Sequence, residues 1–570
     1  MKNEKRIIHN GGKKHYSLFT IRYPLFFLPI LFFILFYFYP LGAILKLSFA
    51  PAGGLDTSAL AKLVRNSHYL RVLWFTTWQA TVSTLLTLAL ALPGAYIFAR
   101  YDFPGKAALK AVSTLPFVLP TVVVANAFTA LLGSHGLLNE QLMVWFNLPH
   151  PPIQLTHTVW IILLAHIFYN YSVALRIISA YWQNQPPDLE HAAKMLGASP
   201  RRAFWHVTVP LLKPAIVAAG VLVFIFSFTS FGVVLILGGA KFATIEVEIY
   251  RQAVNLFNLP VAATLSLIQI GFTFGLMWLY TRTQSKMTRP AKLKSSRTLQ
   301  RAVRTRKDRL IVGSNLALML VLLASPLLAL ILRSFWGENG FTLAFYRELF
   351  INRRGSLFFV PPAEAVFNST AIALVTVVFA VTLGGIIVMM LTDRRHSWAR
   401  WLDPLFMLPL ATSAVTLGFG YIIALNKPPL NLRSSLILVP IAHTLVAIPF
   451  VIRSVLPAVR SINPNLREAA AMLGASPRKV WQTVDLPLVQ RALLVGAVFA
   501  FTVSMGEFGA TVFIARPQTP TMPVAIFRFL GQPGALNYGQ ALAMSTLLML
   551  VCAVGFIAIE RFRLGDVGEF

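Results

Sequence analysis

Apolar runs long enough to cross a lipid bilayer recur throughout this chain of 570 residues, and no other feature narrows its possible folds as far. Hydrocarbon offers no water to backbone N–H and C=O groups, so a spanning segment must satisfy them internally, and about 20 apolar residues of helix do so. That ruler predicts helices near 24–48, 72–99, 108–132, 157–180, 211–237 and 261–281, then near 310–333, 367–391, 401–425, 433–458, 489–514 and 540–560. The expected fold is an all-α polytopic membrane protein with about twelve spans in two sets of six. Composition agrees, with 56% hydrophobic and only 12% charged residues, outside the range of soluble domains. The first run is too long, and too far from a small-residue cleavage site, to be a removable signal peptide. It is read as the first span.

The formal net charge of +30 raises the question of nucleic acid, but phosphate tracking needs a continuous basic surface. Here the basic residues fall in short segments between apolar runs, so no nucleic-acid partner is expected. Translocating Lys and Arg is costly, and short cytoplasmic loops retain them. The N-terminal tail, the Arg100 to Lys110 turn, the 181–209 loop, the 282–309 segment, the Asp393 to Arg400 turn, the 459–488 loop and the tail with Arg561 and Arg563 therefore lie on one side. Both termini are expected in the cytoplasm of a prokaryote whose plasma membrane the chain crosses repeatedly. The organisation read from this is a cytoplasmic tail 1–23, a first transmembrane half 24–281, a basic linker 282–309, a second half 310–563 and a tail 564–570. The linker has eleven basic residues against one acid and no apolar periodicity. The single cysteine, Cys552, excludes internal disulfides and is read as lipid-facing or packing material.

The two halves repeat. A shift of 277 positions aligns Ala165 and His166 with Ala442 and His443, Arg176 with Arg453, Gly197 with Gly474, Pro210 with Pro487, Phe231 and Gly232 with Phe508 and Gly509, and Thr244 and Arg251 with Thr521 and Arg528. Upstream the shift is about 293, since Leu115 and Pro116 match Leu408 and Pro409. With the same order of spans in each half, the repeat is parallel rather than inverted.

Two stretches in equivalent places are too polar to span: EHAAKMLGASPRRAFWHVTVP at 190–210 and REAAAMLGASPRKVWQTVDLP at 467–487. Leu189, Ala192, Ala193 and Leu196 recur at helical spacing as a narrow apolar stripe. Gly197 suits the left-handed residue that ends a helix, and Ser199 with Pro200 suits the cap and first position of the next. The prediction is a helix, turn, helix elbow tied to the following span, repeated with Leu466, Ala469, Ala470, Leu473, Gly474, Ser476 and Pro477. An amphipathic helix lying in the headgroups is the alternative. The stripe is rich in alanine, which suits close approach to another protein better than anchoring in lipid. Two copies imply a partner with two equivalent grooves.

Glu468, Ala469, Ala470 and Gly474, followed by a hydrophobic residue and Pro487, form a pattern that resembles the cytoplasmic coupling motif of permease subunits of ATP-binding-cassette importers. In that family the elbow docks into a cleft of the ATPase subunit. The resemblance covers essentially the whole chain and implies three partners: a separate ATPase dimer that binds ATP-Mg, an external solute-binding protein and the lipid bilayer. The fused arrangement is similar to iron(III) and thiamine importer permeases through LGGAKFATIEVEIYRQA (237–253) and SMGEFGATVFIARPQTPTMPVAIFRF (504–529), and the second segment also resembles molybdate and sulfate permeases. Iron(III) is the favoured cargo, with thiamine or an oxyanion as alternatives. The first elbow departs from the pattern. His191 precedes Ala192 and Ala193, with the acid displaced to Glu190.

The chain itself has no phosphate-binding loop and no His, Cys or carboxylate cluster at metal-ligand spacing, so it is not expected to hydrolyse ATP or to hold a metal or other cofactor. Glu507 is the one acid read within a span. Such residues are expensive and face an interior, so it is a pathway candidate, opposite Ser230 in the repeat, with a purely structural role as the alternative. His166 and His443 are read as packing or hydrogen-bonding residues at the start of the fourth span of each half. Glu246 and Glu248 are read as solvated residues of an outside loop. A twelve-span secondary transporter shares the hydropathy but has no reason to keep two matched elbows, and the short loops leave no domain for a scaffold or receptor.

Overall fold

The computed structural model describes residues 22–50, 53–54, 56–185, 188–285, 300–337, 340–351, 360–392, 399–426, 428 and 430–563. Most of both tails, most of the basic linker and the turn at 393–398 lie outside these residues. Within them the fold is the expected all-α one, with eleven helices long and apolar enough to cross a membrane and a twelfth span made of a bent pair.

In the first half the spans are Arg22–Phe33 continuing through Tyr39–Phe49, then Ser67–Arg100, Lys106–Val118 with Thr121–Leu132, Val159–Gln183, Val209–Phe228 and Leu259–Ser285. In the second they are Arg306–Ser334, Pro362–Thr392, Ala399–Ala411 with Ala414–Ala424, Leu438–Ser461, Leu486–Gly506 and Ala535–Arg563. Four are not continuous. The third span breaks at Leu119 and Pro120, and its repeat partner, the ninth, breaks at Thr412 and Ser413 with a bend of 97°. Proline cannot donate to a helix ladder and turns the residue before it extended, which accounts for the break at Pro120. The fifth and eleventh spans end at Phe228 and Gly506, and short helices Gly232–Leu237 and Thr511–Ile514 follow. Each of these four was expected as one straight apolar run.

Of the four widened π turns among the described residues, Ile34–Phe38, Phe204–Thr208 and Trp481–Asp485 each end two residues before a proline, Pro40, Pro210 and Pro487, whereas Arg251–Asn255 does not. A proline ring clashes with the carbonyl four residues back, and a wider turn relieves the clash without stopping the helix. The fifth and eleventh spans are therefore continuous with the elbows rather than beginning at Pro210 and Pro487.

The halves exchange their first spans. Phe26, Phe33 and Tyr37 are buried in a cluster with Ala380, Ile387, Phe406, Ile448 and Val451 of the second half. The Phe33 and Phe406 rings meet edge to face at 5.0 Å, and the Tyr37 hydroxyl lies 2.6 Å from that of Thr412. The seventh span does the reverse, burying Met319, Leu323 and Leu330 in the large cluster that holds Val123, Ala127 and Leu131 of the first half. Arg333 at its end pairs with Glu140 at 2.5 Å. Cys552 is buried within that cluster as packing.

Candidate coupling elbows and central cavity

Each elbow follows from its local sequence. Gly197 and Gly474 take φ of +87° and +81°, the left-handed region that glycine enters without a Cβ penalty. The next helix starts at Ser199, whose hydroxyl accepts from the Arg202 N–H, with Pro200 in its first turn. The first helices, Asp188–Met195 and Pro464–Met472, leave Met195, Leu196, Met472 and Leu473 each 89% exposed. Both elbows thus present the same pair of uncovered apolar side chains at their turns. Ala192, Ala469, His191 and Glu468 are exposed beside them, and Ala193 and Ala470 are half-buried.

Glu190 is not a free substitute for Glu468. Its carboxylate accepts from Lys194 at 2.8 Å and from the Thr208 hydroxyl at 3.2 Å, on the elbow's second helix. Burial alone would raise this carboxyl; Lys194, Thr208 and the nearby Arg100 outweigh it and hold it below the ordinary glutamate value. The repeat partners of Glu190 and Thr208 are Arg467 and Asp485, and Arg467 Nε donates to Asp485 Oδ1 at 2.6 Å. Each elbow is therefore clasped between the same two positions, with the acid at the first position in one elbow and at the second in the other. Glu468 makes no bond to the described residues.

The four helix breaks converge on one cavity of about 400 Å³ between the halves, within the range of small-ligand sites. Pro120 and Thr121 of the third span, Ser413 and Ala414 of the ninth, Ser230 to Gly232 of the fifth, and Gly506 to Gly509 of the eleventh all line it. Phe231 and Phe508, equivalent in the repeat, stack across the divide with centroids 5.5 Å apart. A Cβ on Gly232 would come within 2.2 Å of the Thr121 hydroxyl oxygen, so only glycine lets these breaks meet.

His166 and His443 lie inside the fourth and tenth spans rather than at their starts, buried and bridging hydroxyls. His166 sits 3.0 Å from Ser83 and 2.8 Å from Ser230. His443 sits 2.7 Å from Ser504 and 2.8 Å from Thr511. Their expected hydrogen-bonding role matches this geometry. Glu507 lines the cavity at the end of the eleventh span, 7% exposed. One oxygen accepts from the Ala510 N–H at 2.8 Å; the other accepts from the Thr511 N–H at 3.0 Å and from the Thr511 hydroxyl, and His443 stands 3.3 Å away. The carboxylate is spent on the backbone that follows the break.

The loop reading of Glu246 and Glu248 is overturned. Both are buried on the helix Ile245–Tyr250, at 2% and 0% exposure, because that segment folds back between the spans. The Ile245 N–H is bound by Thr76 at 3.0 Å, and the equivalent Met522 N–H by Ser369 at 2.7 Å. Glu248 faces Gln252, Arg251 and His68. Glu246 lines the cavity and is held by Gln269 at 2.5 Å and by Ser413 of the other half. Two acids in an otherwise apolar segment were the available signal, but nothing local says that the segment turns inward.

The profile of a family described as binding-protein-dependent transport system inner membrane component matches residues 91–289. A probable ABC transporter permease of Sinorhizobium fredii is 26% identical over 90% of this chain and 91% of its own length. The thiamine transport system permease of Escherichia coli is 28% identical over 87% and 90%. A putative 2-aminoethylphosphonate transport system permease of Salmonella typhimurium is 30% identical over 45% of this chain and 91% of its own length.

Proposed function

The chain belongs to the inner-membrane permeases of binding-protein-dependent ABC importers, and from that premise we propose that it admits a small organic cation of the thiamine class. It is a permease, not an ATPase. ATP-Mg is bound by a separate ATPase dimer that grips the two elbows, a solute-binding protein delivers the cargo from outside, and both termini lie on the ATPase side of a prokaryotic plasma membrane. The exposed apolar side chains of two identical turns support the first of these partnerships, because a dimer offers two equivalent grooves.

One observation carries the substrate class. The cavity is lined by two carboxylates, two stacked phenyl rings and no Lys or Arg. Aromatic faces and acids attract cations and repel oxyanions, which disfavours a molybdate or sulfate cargo. Among the described residues no group of three or more His, Cys, Asp or Glu is placed to hold a metal. Relatives that match over most of the chain include thiamine transport system permeases. Thiamine therefore has the support that iron(III), the sequence-based preference, lacks.

Deleting the gene in its native host and measuring uptake of radiolabelled thiamine and of iron(III) tests this. Loss of thiamine uptake with iron uptake unchanged is expected. The reverse pattern would return iron to the site.

A further inference from the structure

The two cavity acids differ in how their charge is met. Glu507 is surrounded by the donors of its own helix break and by His443. Glu246 has a neutral amide, Gln269, and a neutral hydroxyl, Ser413, and no basic side chain of the described residues reaches it. Gln269 in turn lies 3.5 Å from Thr416 of the ninth span. A carboxyl group only 2% exposed and without a counter-charge is costly to ionise, and this one is held in place from both halves by neutral partners alone. Its repeat partner is Pro523, so the group exists once, on one side of the cavity.

We propose that Glu246 is the specificity-determining residue of the cavity: its carboxylate supplies the counter-charge to the cationic centre of the solute, while Gln269 and Ser413 hold it facing that centre. This rests on the organic-cation reading above. In the occupied cavity the cation supplies the partner that the ionised carboxylate otherwise lacks, and a neutral molecule of the same shape supplies none. Discrimination between the two therefore resides in Glu246, and Glu507 contributes shape.

The test uses whole cells of the native host carrying chromosomal variants, with all partner subunits present, and compares uptake of thiamine with competition by a neutral analogue in which carbon replaces the thiazolium nitrogen. Wild-type cells are expected to prefer thiamine by about tenfold or more, the effect of one charge-assisted contact. Glu246→Gln, which keeps the shape and a hydrogen-bonding group, is expected to bring the two compounds within about twofold. Glu246→Asp keeps the charge and is expected to retain the preference even with slower uptake, which covers the case in which the Gln variant is absent from a membrane blot. An unchanged preference in Glu246→Gln overturns the assignment. So does an equal fall for both compounds, or loss of the preference in Glu246→Asp. Wild-type cells that import thiamine no better than the deletion strain overturn the cation reading itself, a distinct result.

Discussion

At the residue scale the elbows depend on a single backbone conformation. A Cβ at Gly197 or Gly474 would meet nothing within 4 Å, so the entire cost of a side chain there is the left-handed backbone, about 1–2 kcal/mol. Gly474→Val is accordingly expected to lower transport about 5- to 30-fold while the chain still reaches the membrane, because the turn that presents Met472 and Leu473 forms less often. Gly474→Asn, whose residue type tolerates that region, is expected to keep more activity. Uptake set beside a blot for inserted protein reads both, and equal uptake by Val and wild type would dissociate the turn from coupling. Gly197→Val is expected to act the same way.

At the scale of the element, one clasp ties the two short helices of each elbow together. Glu190 with Thr208 and Arg467 with Asp485 bridge the same positions, and the π turns join each elbow to its span without a break in the helix. Side chains in the second clasp are 39% and 18% exposed, so the bond contributes only about 0.5–1 kcal/mol after screening. Arg467→Ala is expected to lower solute moved per ATP hydrolysed by about two- to fivefold in the assembled complex, the ratio that such an energy gives. Installing the first clasp in the second elbow, with Arg467→Glu and Asp485→Thr together, is expected to recover it. A wild-type ratio in Arg467→Ala would show that the elbow is rigid without this bond.

For the whole molecule, the exchange of first spans decides how the halves depend on each other. The first span buries Phe33 and Tyr37 in the second half, and the seventh buries Met319 and Leu330 in the first. Cutting the chain within the 286–299 segment and expressing the pieces together is therefore expected to give two fragments that co-purify in detergent through these interlocked spans. Either fragment alone is expected to be degraded or aggregated, since each lacks the span that the other half packs into its core. Recovery of a lone, monodisperse first fragment would contradict the interlock.

The count of spans, the repeat, the left-handed glycines and the serine caps were legible in the sequence because each is a local property: apolar length, a constant shift, one residue's backbone freedom. The two elbows were found for the same reason. Partner choice was not legible. In a bilayer an apolar face meets lipid or protein with nearly the same hydrophobic gain, so hydropathy is blind to which half the first span joins. The inward turn of Glu246 and the bond between Glu190 and Thr208 were equally hidden, since both are set by residues far along the chain or across the elbow. Glu507 stood out as an acid in an apolar run, yet the tertiary structure satisfies it with the N–H groups of Ala510 and Thr511 and leaves Glu246 lining the cavity without a basic partner among the described residues. The sequence determined what kind of protein this is; the meeting of four broken helices, which no local pattern encodes, decided which acid confronts the solute.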